Sequence, residues 1–425
     1  MNRTLLLLFF LFINLQIFGQ RIREFSADTS EFITQYEEFM NESDLEPEDD
    51  FKVNRFINVW KSDSLLYEEK LQIIETANHM LRRRANPSPH FLNFTELQLL
   101  NLDPDLKSKR LDRWFSAFNE LVASSEVTFN EIQRAQSFAL AILKDSVLYN
   151  LAGTLWKVSN TDFEFENFNS IPIVRFEDVD LFCFSNRDTM RIYYARGYYN
   201  LISLLWTGEG GFVTWERAGL DPEKVYAELS DYKIEINRSQ YQADSVKFYY
   251  KKYFDYALEG FLQDRATPVN NPSAATYPRF FSYQNMYDIP DLFPGIEFIG
   301  GLSMQGAKLV GTGDIQSPAR LFIAQDDTVR MIVRSQNIVI RETGMSSTSC
   351  QMTLFMGEDS IYHPDLGFLY LEQGDEIRLS KRDVYTSAVP YSNSYHNINM
   401  NFEELLWKRD SKILKFQPSI GRAIG

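Results

Sequence analysis

TFNEIQRAQSFALAILKDSVLYN (128–150), followed closely by DFEFENF (162–168), decides the fold. In the first stretch Ile132, Ala135, Ala139, Ile142 and Leu143 recur at steps of three and four, the period of a helix with one buried face. Thr128 with Glu131 has the spacing of a capping box, in which a hydroxyl and a carboxylate serve the first free backbone N–H groups. In the second stretch Phe163 and Phe165 alternate with Glu164 and Glu166, the period of a half-buried strand. A helical region therefore gives way to a β-region near residue 145.

Upstream the helical period continues. Leu111, Trp114, Phe115, Phe118, Leu121 and Val122 form one apolar stripe, and Pro87 and Pro89 break the run after a helix expected over 63–84. The spacing predicts a helical bundle or short stack over 51–145. Before it, residues 20–50 are acidic and end in ESDLEPEDD, which reads as one short helix and a solvated link.

Downstream, Tyr232, Ile234 and Ile236 alternate with Lys233, Glu235 and Asn237, and Val246, Phe248 and Tyr250 with Lys247, Tyr249 and Lys251. Val329, Met331 and Val333 do the same, as do Ile398, Met400 and Phe402. The class expected is α+β with segregated domains: helices first, then a large all-β region built as a β-solenoid or an elongated jelly-roll. PVNNPSAATYP (268–278) reads as a break between a first β-region, 146–267, and a second, 279–425. The loop-like ending KFQPSIGRAIG is expected to be the end of a fragment of a longer product.

The opening MNRTLLLLFFLFINLQIFGQ has the parts of a secretory signal peptide over residues 1–19. Arg3 supplies the positive start, Leu5 to Ile13 the apolar run, and Gly19 a small residue before Gln20. That run is shorter than the roughly 20 residues a membrane helix needs. No later stretch is long and apolar enough, so no transmembrane helix is expected after cleavage. The chain carries a net charge of −15, one unit more negative once Arg3 leaves. This balance argues against a nucleic-acid partner. The expected location is the periplasm, the outer-membrane surface or the extracellular medium. Cys183 and Cys350 allow one disulfide.

Catalytic motifs are sparse. His79, His90, His363 and His396 show no metal-ligand spacing, so no metal or cofactor is expected. GEGG (208–211) and GAKLVGTG (306–313) lack the lysine and hydroxyl of a phosphate loop and read as turns between strands. No GxSxG elbow occurs, and no catalytic residue is assigned. Trp206, Trp215, Tyr249, Tyr250 and Tyr253 are candidates for stacking on glycans.

A triplet of Asp, Ser or Thr and an apolar residue recurs at Ser64, Ser146, Thr189, Ser245, Thr328 and Ser360. It is a local turn-and-strand signal, and it is also similar to the acceptor pattern of the O-glycosylation system that modifies exported proteins of Bacteroidota. Ser245 and Ser360 are expected where a turn enters a strand.

GEGGFVTWERAGLD (208–221), YQADSVKFYYKKYFDYALEG (241–260), GGLSMQGAKLVGTGD (300–314), DSIYHPDLGFLY (359–370) and SYHNINMNFEELLWKRD (394–410) together resemble a family of large uncharacterised exported proteins of Bacteroidota. The strand units are also faintly similar, at fold level, to the jelly-roll repeats of lipopolysaccharide-transport (OstA-like) proteins. The resemblance implies a structural or interaction role in the cell envelope, with an envelope protein or a glycan as partner. The alternative is a carbohydrate-active enzyme or polysaccharide-binding protein. N-terminal sequencing of the exported pool should find Gln20, or a residue within a few positions of it, at the mature terminus. Met1 in that pool would contradict the leader.

Overall fold

The computed structural model describes residues 22–62, 64–102, 109–160, 163–168, 171–268, 270–382 and 388–417; the expected leader, 1–19, lies outside them. Among the described residues six α-helices come first: α1 (Thr29–Asn41), α2 (Pro47–Lys61), α3 (Tyr67–Arg82), α4 (Leu92–Asn101), α5 (Lys109–Ala123) and α6 (Phe129–Asp145). Strands follow without another α-helix. The first are β1 (Val147–Leu151), β2 (Thr154–Val158), β3 (Phe163–Phe168), β4 (Ile171–Ser185), β5 (Asp188–Asn200) and β6 (Leu205–Thr214). Next come β7 (Val225–Glu235), β8 (Gln240–Tyr250), β9 (Leu258–Arg265), β10 (Arg279–Ser282), β11 (Tyr287–Phe293) and β12 (Ile296–Gln305). They continue with β13 (Lys308–Thr312), β14 (Ala319–Gln325), β15 (Thr328–Ser335), β16 (Asn337–Arg341), β17 (Gly344–Met356) and β18 (Asp359–Leu371). The last are β19 (Glu376–Ser380), β20 (Tyr391–Asn393), β21 (Ile398–Met400), β22 (Glu404–Lys408) and β23 (Leu414–Gln417). The class is α+β with segregated helical and β parts.

The chain divides into two compact units. The helical unit takes in Thr161–Phe176 and Tyr198–Leu205 besides the described residues up to Leu148. It therefore reaches past the boundary expected at 145, and aromatic packing is the reason. Phe165 on β3 is fully buried with its ring 6.3 Å from that of Trp114 on α5, and Tyr199 lies 5.2 Å from Phe138 on α6. β3 runs antiparallel to the start of β4, with Phe165 opposite Val174.

Of the acidic segment, the expected short helix is α1 and residues 42–46 stay largely exposed as the expected link, but Phe25 and the inner face of α1 pack into this unit's core. Phe25 is buried among Phe32, Phe39 and Phe91, and Asn78 clamps its backbone through bonds of 2.6 and 3.1 Å. Asp28 caps α1 by accepting from the N–H groups of Ser30 and Glu31. The acids line the outside of α1 and α2, while Phe32, Tyr36, Phe39 and Phe56 point inward, so the charge of this segment concealed a core element. At α6 the two residues of the expected capping box meet. Glu131 accepts both the backbone N–H and the hydroxyl of Thr128, each at 2.7 Å.

In the β unit every described pairing is antiparallel. One ladder runs β7–β8–β9–β10, then through the second half of β12 to β13 and β16, the start of β17, the end of β18, β19, β22 and β23. The other runs β11, the first half of β12, β14, β15, the second half of β17, the first half of β18, β20 and β21. Long β12, β17 and β18 thus belong to both ladders. Tight hairpins return the chain against itself: Asp326 and Asp327, both with positive φ, join Gln325 to Thr328 as the twist of paired strands requires. Parallel rungs stacked as in a β-helix are not what these turns build.

Two expectations are corrected here. Residues 268–278 do not separate two β-regions, because β9 and β10 on either side pair directly, with Gln263 opposite Arg279. The Trp215 indole donates to the Pro278 carbonyl at 3.1 Å and holds the loop down. The glycines of GEGG lie inside β6 rather than in a turn, and a side chain at Gly208 would collide with the Tyr232 ring. Gly311 makes the same room for Phe298. At the far end Ile398 stays 44 % exposed, so the alternation of 398–402 marks a surface strand. Phe165→Ala in the mature chain should lower stability by about 3–5 kcal/mol, whereas Glu164→Ala should change it by under about 0.5 kcal/mol, as chemical denaturation would measure. Equal small effects would place β3 outside the helical core.

Candidate functional site

The β unit offers two places where chemistry gathers: a buried charge cluster and a solvent face lined with rings. In the cluster, Arg217 lies between two carboxylates, donating through Nη1 to Asp188 and through Nη2 to Asp264. Asp264 is 2 % exposed, and it also accepts the Arg265 N–H at 2.8 Å. Asp188 accepts the Thr267 N–H at 2.9 Å, and Arg217 reaches the Arg265 carbonyl at 3.2 Å. Burial pushes the Asp264 carboxyl up to about 6 against the pull of Arg217. The Tyr241 hydroxyl, buried in the same neighbourhood, has no hydrogen-bond partner among the described residues. A hollow of about 210 Å³, lined by Phe182, Arg191, Tyr193, Glu216, Arg217 and Asp264, opens beside the cluster. Two carboxylates bound to one guanidinium tie β5 and β9 to the turn after β6. They do not face each other across a cleft as the pair of a glycosidase must.

The second place is the outward face of β5 to β8. Tyr194, Phe212, Tyr226 and Tyr249 stand in a row on four consecutive strands, with ring centroids 6.3, 6.3 and 4.7 Å apart. Tyr226 and Tyr249 face each other in register across β7 and β8. Tyr194 is 61 % and Phe212 37 % exposed, although both are large and apolar. Lys251 lies 5.3 Å from the Tyr226 ring, and the Tyr249 hydroxyl donates to Glu228 at 3.1 Å. Polar groups at the edges and rings in the middle make a platform that a ligand with apolar faces and hydroxyls can lie on.

The stacking residues expected from sequence divide sharply. Trp206 and Trp215 are fully buried, Tyr250 nearly so, and Tyr253 packs on Tyr250 at 4.8 Å. Only Tyr249 belongs to the platform. Tyr194, Phe212 and Tyr226 were missed because single-strand alternation does not say which rings of separate strands share a line. The signal was present in VYAEL (225–229) and KFYY (247–250), whose outward positions both hold a tyrosine.

The recurring triplets reveal a shared construction. At Asp244-Ser245 the Tyr283 hydroxyl donates to the Asp244 carboxylate and accepts the Ser245 N–H at 2.9 Å. At Asp359-Ser360 the Ser394 hydroxyl does the same, at 2.9 and 2.8 Å. In both the Asp clamps a hydroxyl from elsewhere and the serine side chain is left outside the clamp. Ser245 is exposed at a β-bulge with φ of 54°, not at a turn entering a strand, while Ser360 follows a turn and is half-exposed. Ser64 and Thr328 are exposed, and Ser146 and Thr189 half-buried. Asp63 lies outside the described residues.

Cys183 and Cys350 are both free and buried, so the disulfide considered from sequence does not form. They sit on β4 and β17, facing Trp156 and Leu366 respectively, and burial pushes each thiol up to about 12. Among the histidines, His363 is fully buried and half of its bonding is to the Val389 carbonyl at 3.2 Å; His90 is buried, and His79 bonds Asn119 at 3.0 Å. No group of three or more potential metal ligands occurs among the described residues.

Comparison of the chain with protein-family models, with curated proteins and with solved structures finds no match. The cluster itself makes a testable statement. With the Asp264 carboxyl held above its ordinary 3.8, at about 6, the folded state binds that proton more tightly than the unfolded chain does. Stability from the protonated form is then full below about pH 4 and is lost as the pH rises through about 6. The unfolding free energy of the wild type minus that of Asp264→Asn, measured by urea denaturation, should fall across that window and level off above it. A difference that rises or stays flat would contradict the assignment.

Proposed function

We propose that this chain is an exported cell-envelope or surface protein whose β unit has a structural or interaction role through its solvent face. The row Tyr194–Phe212–Tyr226–Tyr249 carries the reading. Large rings held toward water on one side of a sheet whose other side is buried are characteristic of a contact surface. The leader-like opening and the acidic balance support export, and the resemblance over roughly residues 200–410 points the same way. The periplasm, the outer-membrane surface and the extracellular medium all fit, with an envelope protein or a glycan as partner.

The second reading, a polysaccharide-binding or carbohydrate-active protein, is favoured by the same rings, because sugars present apolar faces to aromatic platforms. The free serine side chains of the two Asp–Ser clamps also support glycan modification at Ser245 and Ser360. Fractionation of the native host with intact-mass measurement tests both points. The mature chain should appear in the envelope or medium, with mass above that of the polypeptide which falls stepwise in Ser245→Ala and Ser360→Ala. Uncleaved protein in the cytosol would overturn the proposed role. Unmodified mass in the envelope would remove only the glycosylation.

A further inference from the structure

Strand register places a second line of side chains on the solvent face, next to a hollow that the aromatic platform does not use. Lys233 on β7 lies opposite Gln242 on β8, and Gln242 lies opposite Gln263 on β9. Gln263 lies opposite Arg279 on β10, Arg279 opposite Gln305 on β12, and Gln305 opposite Lys308 on β13. Directly opposed residues of an antiparallel pair project from the same face, so these six side chains form one straight file across six strands. The inward neighbours Ile234, Leu262, Phe280, Met304 and Leu309 are all buried, which fixes the file on the solvent side.

Three members of the file are cations, three are amides and none is an acid. That is unusual for a chain with a net charge of −15. Lys233, Arg279 and Lys308 form no ion pair with any described residue, nor does Arg265 beside the file. Arg279 is already oriented, its Nε donating to the Thr276 carbonyl at 2.8 Å and its guanidinium 4.4 Å from the Tyr277 ring. Under one end of the file is a hollow of about 470 Å³ lined by Lys233, Gln240, Gln242, Gln263, Arg265 and Tyr277. Two acids also line it, and both are already engaged: Glu235 pairs with Arg238 at 2.8 Å, and Asp264 is bound to Arg217.

We propose that this file is a binding track for an extended acidic polysaccharide, a polyuronate by class, lying across the strands. The inference rests on reading the solvent face as an interaction surface and names its partner. Strands repeat at about 4.8 Å, so six of them present a track of about 24 Å with side chains at a spacing close to the rise of one sugar in an extended glycan. The cations meet carboxylates at intervals along the chain. The amides between them donate to and accept from hydroxyls, as glutamine can do and lysine cannot. Uncompensated cations exposed on a protein of opposite overall charge supply the complementarity that an anionic chain needs.

The test uses the mature full-length chain with soluble alginate as the polyuronate, dextran as the neutral polymer and phosphatidylglycerol vesicles as the lipid anion, each titrated by calorimetry. The wild type should bind alginate, release it as salt rises, and leave dextran and the vesicles unbound. The combined variant Lys233→Gln, Arg279→Gln, Lys308→Gln should bind alginate at least about tenfold more weakly with a flatter salt dependence. Lys415→Gln, exposed on β23 and away from both the file and the platform, should leave binding unchanged. If the triple variant does not fold, as circular dichroism would show, Lys233→Gln and Lys308→Gln singly should each weaken binding, since both side chains are exposed. Undiminished binding by the variants, equal binding of dextran, or binding of vesicles but not alginate would overturn the track. Any of these, in a protein that still localises to the envelope, leaves the proposed function standing.

Discussion

Register through the long shared strands is the constraint from which the rest of the β unit follows. β12, β17 and β18 each serve two ladders, so a shift of one residue in any of them would turn both sets of inward side chains to solvent at once. Met345, Met352, Leu354, Ile361, Leu366 and Phe368 are buried along β17 and β18. Their burial penalises every slipped alternative, and the outward face is set by the same choice. The file of cations and amides crosses β12 at Gln305, so it exists only while that register is kept.

The buried polar groups act on the same problem in another way. A buried ion cluster such as Asp188–Arg217–Asp264 adds little net stability over an apolar equivalent, since desolvation of the charges offsets their attraction. Breaking it is costly, and it bonds to backbone groups of Arg265 and Thr267 as well. It therefore selects one placement of the loop that follows β9. Asn78 does the same for the helical unit by clamping both backbone groups of Phe25. The Asp–Ser clamps on Tyr283 and Ser394 tie down two bends of the β unit at its surface, without burial.

Much of this was legible in the sequence, and the limits were physical. Periods of 3.6 and 2 located the helices and strands, because one-sided burial imposes those periods within each element. Trp114, Phe118, Ile132 and Phe165 are buried as their spacing requires. The acidic run before residue 50 misled because charge on the outer faces of α1 and α2 says nothing about Phe25 or Phe32 inside. PVNNPSAATYP looked like a boundary because its composition breaks strands, yet two paired strands can share such a loop. Trp206 and Tyr249 could not be told apart as core and platform from local pattern alone. That distinction, and the file from Lys233 to Lys308, depend on partners far away in sequence.

The central claim is that the solvent face ordered by this register is the working surface of the protein. Hydroxyl-radical footprinting, comparing the purified mature chain with the same protein in its native envelope, tests it most directly. Protection in the envelope should fall on Tyr194, Phe212, Tyr226, Tyr249 and Tyr277, while the helical unit reacts equally in both settings. Unchanged reactivity on that face, with protection confined to the helical unit, would contradict the account.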